Sequence, residues 1–152
     1  MKNKAILADM QQAKAVIAHG VRLNGRRFPL YLSKVAAGFP SPADDYIDKK
    51  LSLDEYCIND SAATFFVYAS GDSMIGAGIF PNDLLIVDRS VEPVHGKIVI
   101  AVLDGELTVK RLQIACGKVT LMPENKAYKP IVVPELSELN IWGVVTNVIH
   151  KV

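Results

Sequence analysis

The feature that most constrains this chain is a succession of short β-type runs, each closed by turn residues. "ATFFVYAS" (63–70), "DLLIVDR" (83–89), "KIVIAVL" (97–103), "ELTVKRLQIA" (106–115), "KVTLMPE" (118–124) and "LNIWGVVTNVIHKV" (139–152) are rich in β-branched and aromatic residues. Together they predict a mainly β domain. Asp104-Gly105, between the third and fourth runs, is a hairpin signal, because a type I′ turn needs positive φ at both central positions. Runs 97–103 and 106–115 are therefore expected to be antiparallel neighbours. "DDYIDKKLSLDEYCIND" (44–60) is less regular and is expected to hold one helical turn around Leu53–Cys57. No internal repeat or low-complexity tract is present.

With 152 residues, half of them hydrophobic, the chain suits one domain with a sizeable core plus an arm. In the arm Ile6, Met10, Ala13 and Ile17 fall on one face of a short helix ending near Gly20. About 35 residues ahead of the Pro-rich stretch leave little room for a helix-turn-helix domain. Sequence-specific DNA binding is not expected. Residues 1–27 carry six basic side chains against Asp9, a balance of +5, so the rest of the chain carries −4 of the overall +1. Such asymmetry fits an arm meeting nucleic acid or an acidic partner, and equally a solvated tail.

No run approaches the length of a membrane span. "AILADMQQAKAVIAHG" is interrupted by Asp9, Gln11, Gln12 and Lys14, which argues against a signal peptide. Cys57 and Cys116 have neither metal-type spacing nor a disulfide framework. Free thiols in a reducing, cytoplasmic setting are expected.

Four places bear on chemistry. His19, His95 and His150 show no spacing to Asp or Cys that suggests a triad or a metal site, so no cofactor or metal is called for. "SGDSMIGAG" (70–78) crowds small residues around Ser73 after a β run, as an exposed nucleophile on a tight turn would need, although Gly, Asp and Ser also make ordinary turns. In "ELTVKRL", strand alternation puts Lys110 beside Thr108 and Leu112, with Arg111 on the other face. Alternation alone does not say which face is buried, and an exposed strand lysine is the common case. Of the two, only a lysine can lose its proton when buried and act as a base, since a guanidinium stays charged. "VAAGFPSP" (35–42) sets two alanines and a glycine before an aromatic residue and two prolines. It reads as a hinge between arm and β domain, held extended or turning by Pro40 and Pro42.

"VAAGFPSP", "SGDSM" and "GELTVKRL", in this order, resemble the LexA/UmuD family of self-cleaving serine peptidases. "LMPENKAYKPIVV" (121–133) and "IWGVV" (141–145) extend the resemblance, which covers nearly everything from Phe28 onward. Within the family the short arm and "GFPSPADDY" (38–46) resemble the UmuD branch, whereas LexA-type repressors carry a DNA-binding domain ahead of the cleavage loop. The Ala-Gly dipeptide itself is of the LexA type.

The resemblance implies a β-rich peptidase domain of the LexA/UmuD C-terminal kind with a flexible N-terminal arm. It implies Ser73 as nucleophile, Lys110 as general base and Ala37-Gly38 as the scissile bond, dividing the chain into an arm, 1–37, and a peptidase and dimerisation domain, 38–152. It further implies stimulation by a RecA–single-stranded DNA filament. The 38–152 product is expected to form a homodimer and join a UmuC-type subunit as the translesion DNA polymerase V. The competing readings are a truncated LexA-like or phage-type repressor, and a non-enzymatic β-rich binding module in which Ser73 and Lys110 are only turn and strand residues.

Overall fold

A computed structural model describes residues 25–31, 34–35, 37–39 and 47–152. The arm helix expected over 6–17 lies outside the described residues. The chain divides into two compact units, one within Val21–Asn59 and one containing Asp60–Val152.

In the first unit, β1 (Arg27–Tyr31) pairs antiparallel with β2 (Ile47–Ser52), with Phe28 opposite Leu51 and Leu30 opposite Lys49. The single-turn helix α1 (Leu53–Cys57) follows at the expected place. Neither strand was legible in the sequence, since Pro29 and the paired lysines of β2 hide any alternation. β1 and β2 flank the 35–42 stretch on its two sides in sequence. Ala37, Gly38 and Phe39 are exposed, Phe39 almost fully.

The second unit is a seven-stranded sheet in the order β3-β4-β9-β5-β6-β7-β8. Its strands are β3 (Thr64–Tyr68), β4 (Leu84–Asp88), β5 (Ile98–Leu103), β6 (Glu106–Ala115), β7 (Lys118–Met122), β8 (Ile131–Val132) and β9 (Leu139–Ile149). All recorded pairings are antiparallel. Six of the seven coincide with the β runs of the sequence; the two-residue β8 does not announce itself.

The hairpin at Asp104-Gly105 forms as expected, with φ of 49° and 85° at the two turn residues. Cys116 and Gly117 repeat that geometry between β6 and β7, with φ of 49° and 72°. Cysteine is no turn signal, so this second tight hairpin follows from the glycine and the flanking strands rather than from a recognisable dipeptide.

Alternation along β5 shows why the runs are so apolar. Ile100 packs with Phe65, Met74, Ile79, Leu85 and Val87, while Val99 and Ala101 pack with Leu112, Leu121 and Val144. Successive side chains of a strand point to opposite faces, so this strand feeds two cores and has no solvent-facing row. Gly143 in β9 lets the chains approach, since a Cβ there would lie 2.7 Å from Val87 Cγ1 and 3.1 Å from the Asp88 carbonyl oxygen.

Candidate active site

The segment after β3 is shaped to present Ser73. Ala69 N–H donates to Asp83 O and Asn82 N–H to Ala69 O, both at 2.8 Å, closing the base of the loop. Gly71 then turns the chain with φ of 75°, a conformation side chains other than glycine's adopt at a cost. Met74, immediately after the serine, is buried in the core with Ile79, and a 3₁₀ turn at Ile75–Ala77 links them. The anchoring methionine holds a half-buried serine between a tight turn and the core.

Lys110 reaches this serine from the middle of β6. It is one of the few charged side chains in the interior, 8% exposed, and its Nζ lies 2.9 Å from Ser73 Oγ. Its other partners are Thr108 Oγ1 at 3.0 Å and Val109 O at 2.9 Å. Thr108 stands two residues back on the same face, as strand alternation requires. Burial penalises the ammonium form and lowers the lysine pKa below its ordinary value. No carboxylate is paired with Lys110 among the described residues, so no counter-charge offsets that penalty.

Hydrogen-bond capacity gives this arrangement its meaning. An ammonium has three N–H donors, one for each of Ser73, Thr108 and Val109. A neutral amine has two donors and a lone pair. With Val109 O and Thr108 Oγ1 taking the two donors, the lone pair is left facing Ser73 Oγ–H. Such a pair can pass a proton from hydroxyl to amine. A cavity of about 140 Å³ opens beside it, lined by Val67, Tyr68, Ser70, Leu107 and Thr108 among others, with room for a small side chain.

Residues to which the sequence assigned no individual role hold the serine loop from behind. Glu124 N–H donates to Ser73 O at 2.8 Å, and Gly76 N–H returns a bond to Glu124 O at 2.7 Å. Asn125 Nδ2 donates to Asp72 O at 3.0 Å, and Tyr128 O–H donates to the Asp72 carboxylate. The hydrogen bond and charge of that carboxylate raise the Tyr128 pKa. Arg111, pointing away from Lys110, forms an ion pair with the Glu124 carboxylate and donates to Gly96 O at 2.7 Å. The stretch "LMPENKAYKPIVV" thus supports the nucleophile-like loop, a connection that spacing alone could not reveal.

His19 lies outside the described residues, and His95 and His150 stand apart from this site. Antiparallel pairing of β4 with β9 brings His150 Nδ1 to 2.6 Å from Asp83 Oδ1, although 67 residues separate the two. The sequence offered no pairing for His150, and the partner comes from topology. Asp83 also accepts from Phe80 N–H at 2.8 Å, and that bond, with the imidazole, lowers its pKa. His95 Nδ1 accepts from Ile114 N–H at 3.0 Å. Among the described residues no group of three or more His, Cys, Asp or Glu side chains is placed to hold a metal ion. No described helix is long and apolar enough to cross a membrane.

The sequence profile of Peptidase S24-like proteins matches residues 29–146, spanning the 35–42 stretch, the serine loop and β6. The chain belongs to the Peptidase S24-like family. S24 peptidases are self-cleaving serine peptidases, and the membership agrees with the LexA/UmuD resemblance of the motifs. The chain is 53% identical to Protein SamA of Salmonella typhimurium over 123 residues, covering 81% of this chain and 85% of SamA. It is 44% identical to Protein MucA of Escherichia coli over 120 residues, covering 78% of this chain and 82% of MucA. LexA repressor 1 of Xanthomonas campestris is 39% identical over 120 residues, which are 79% of this chain but 59% of the repressor. This S24 chain is UmuD-like, and its likeness to the repressor is confined to part of that protein's length.

Proposed function

We propose that the chain is a UmuD-like self-cleaving peptidase in which Ser73 and Lys110 form the catalytic dyad and Ala37-Gly38 is the bond cut. The observation that carries this reading is the 2.9 Å contact between Ser73 Oγ and the Nζ of a buried lysine. Neutral Lys110 takes the Ser73 proton as Oγ bonds to the Ala37 carbonyl carbon. Backbone N–H groups at Asp72 and Ser73 stabilise the oxyanion. As the tetrahedral intermediate collapses, the C–N bond breaks and the lysine ammonium protonates the departing Gly38 amine. Water, deprotonated by Lys110, then hydrolyses the ester on Ser73 and releases the Ala37 carboxylate.

The substrate stretch suits this site chemically. Small side chains at Ala36 and Ala37 match a cavity of about 140 Å³, and Gly38 leaves the carbonyl approachable. A substrate carried on the same chain needs restraint, because tethering supplies a high effective concentration. A cleavage-competent placement that is a minor conformer gives latency, and an activator that prefers it gives control. The LexA/UmuD resemblance supports a RecA–single-stranded DNA filament as that activator.

The same resemblance supports a homodimer of the 38–152 product that joins a UmuC-type polymerase subunit. A second copy also suits the exposed Phe66 and Tyr68 of the edge strand β3, with Ile149 in the same cross-strand row as Tyr68. Loss of the arm with its +5 balance at 1–27 changes the charge offered to partners. Equal affinity of the full chain and the 38–152 form for the polymerase subunit in a direct binding assay would remove that part of the reading. The dyad is tested by self-cleavage at mildly alkaline pH, where a lysine is more readily neutral. Ser73→Ala and Lys110→Arg leave the chain intact; cleavage persisting in either variant overturns the dyad.

A further inference from the structure

The peptide plane between Asp72 and Ser73 is held from outside the dyad. Its carbonyl oxygen accepts from Asn125 Nδ2 at 3.0 Å and, across the turn, from Ile75 N–H at 3.4 Å. In a planar trans peptide the C=O of one residue and the N–H of the next point in opposite directions. Holding the Asp72 oxygen toward Asn125 therefore holds the Ser73 N–H toward the other side. Among the described residues that N–H has no protein acceptor, so it is free to bind an incoming oxygen. A carbonyl attacked by Ser73 Oγ develops its negative charge within reach of the nucleophile's own N–H.

Asn125 is itself held so that only one end of its amide can face Asp72. Its Oδ1 accepts from Ala127 N–H at 3.0 Å and its backbone oxygen accepts from Tyr128 N–H at 3.1 Å. The amide oxygen is thereby committed to the local turn, and the NH₂ group is the end that meets the Asp72 carbonyl. The next peptide plane is held in the same way, through Glu124 N–H on Ser73 O.

We propose that Asn125 is a positioning residue that aims the Ser73 N–H at the oxyanion of the cleavage reaction, acting through the Asp72 carbonyl. The inference rests on the peptidase reading above. It assigns the Asn of "PENKAY" a task in catalysis although its side chain touches no reacting atom.

Two variants of the full chain separate this role from simple support of the turn. Asn125→Asp keeps an oxygen for Ala127 N–H and replaces the donor to Asp72 by an anionic acceptor that cannot hold the carbonyl; Asn125→Ala removes both contacts without adding charge. Self-cleavage is followed as a function of pH beside thermal unfolding. Outright removal of an oxyanion donor costs on the order of 10²–10³ in rate, and here the donor stays but loses the better of its two restraints, so a fall of about tenfold in the plateau rate is expected in both variants. The pH midpoint of Asn125→Ala stays that of the wild-type chain, because Lys110 keeps Thr108 and Val109. A wild-type rate in Asn125→Asp with a fall only in Asn125→Ala overturns the proposal and leaves Asn125 as a turn residue. A midpoint moved up toward that of a free lysine, with a lowered unfolding temperature, also overturns it, since the site has then opened generally. Cleavage in Ser73→Ala, run alongside, would count against the peptidase reading and not against this one.

Discussion

Replacing Thr108 by valine removes one of the three hydrogen-bond partners of Lys110 while keeping the side-chain shape. Thr108 Oγ1 lies 3.0 Å from Nζ and Val109 O lies 2.9 Å from it, and together they occupy the two N–H donors of the neutral amine. Without Thr108 one donor is free to swing toward Ser73 Oγ, taking the lone pair off target. A neutral hydrogen bond contributes a net ~1 kcal/mol, so the productive orientation falls about fivefold, and the plateau rate of self-cleavage with it. The pH midpoint shifts as well, in a direction fixed by charge. An oxygen acceptor stabilises an ammonium more than an amine, so its loss lowers the lysine pKa further and moves the midpoint to lower pH. The assay is the first-order rate of self-cleavage across neutral to alkaline pH. An unchanged plateau, or a midpoint moved upward, would refute the orienting role of Thr108.

Other expectations follow from the same geometry. Lys110 has its pKa lowered by burial, so between its folded and unfolded pKa values the unfolded chain binds more protons and stability rises with pH. The denaturation free energy of the wild-type chain should therefore gain on that of Lys110→Met as pH is raised from neutral toward ~10.4, the ordinary lysine value, and parallel curves would contradict this. Gly76→Ala places a Cβ 2.5 Å from Glu124 O, a backbone atom that cannot rotate away. The loop must shift, costing about 1–3 kcal/mol in unfolding free energy and lowering the cleavage rate; a wild-type rate and stability would contradict the close approach. Asp83 has its pKa lowered by Phe80 N–H and His150, so its contribution is present above the unfolded carboxylate pKa and is lost as pH falls through the folded value. Asp83→Asn should lower the thermal midpoint at neutral pH and flatten its decline in acid, as followed by circular dichroism.

The fold was legible wherever local chemistry and tertiary pairing agreed. β3 to β7 and β9 are apolar runs bounded by turn residues, and Asp104-Gly105 set the register of β5 against β6. Where the signal lay in a partner strand, the sequence was silent. Pro29 and the lysines at 49 and 50 do not look like a strand pair until each meets the other. The site shows the same division. Ser73 and Lys110 were visible as chemistry in motifs, and Thr108 as a same-face neighbour of Lys110. Glu124, Asn125 and Tyr128 were visible only as part of a resemblance. Their contacts join residues about fifty positions apart through single hydrogen bonds, which leave no periodicity behind.

In the proposed reaction this chain cuts itself between Ala37 and Gly38 with Ser73. The most direct measurement is intact-mass analysis of the wild-type chain after incubation at mildly alkaline pH, beside Ser73→Ala under the same conditions. Two wild-type fragments with the masses of 1–37 and 38–152 are expected, and a single uncut mass in the variant. Fragments joining at any other position, or the same fragments from Ser73→Ala, would contradict it.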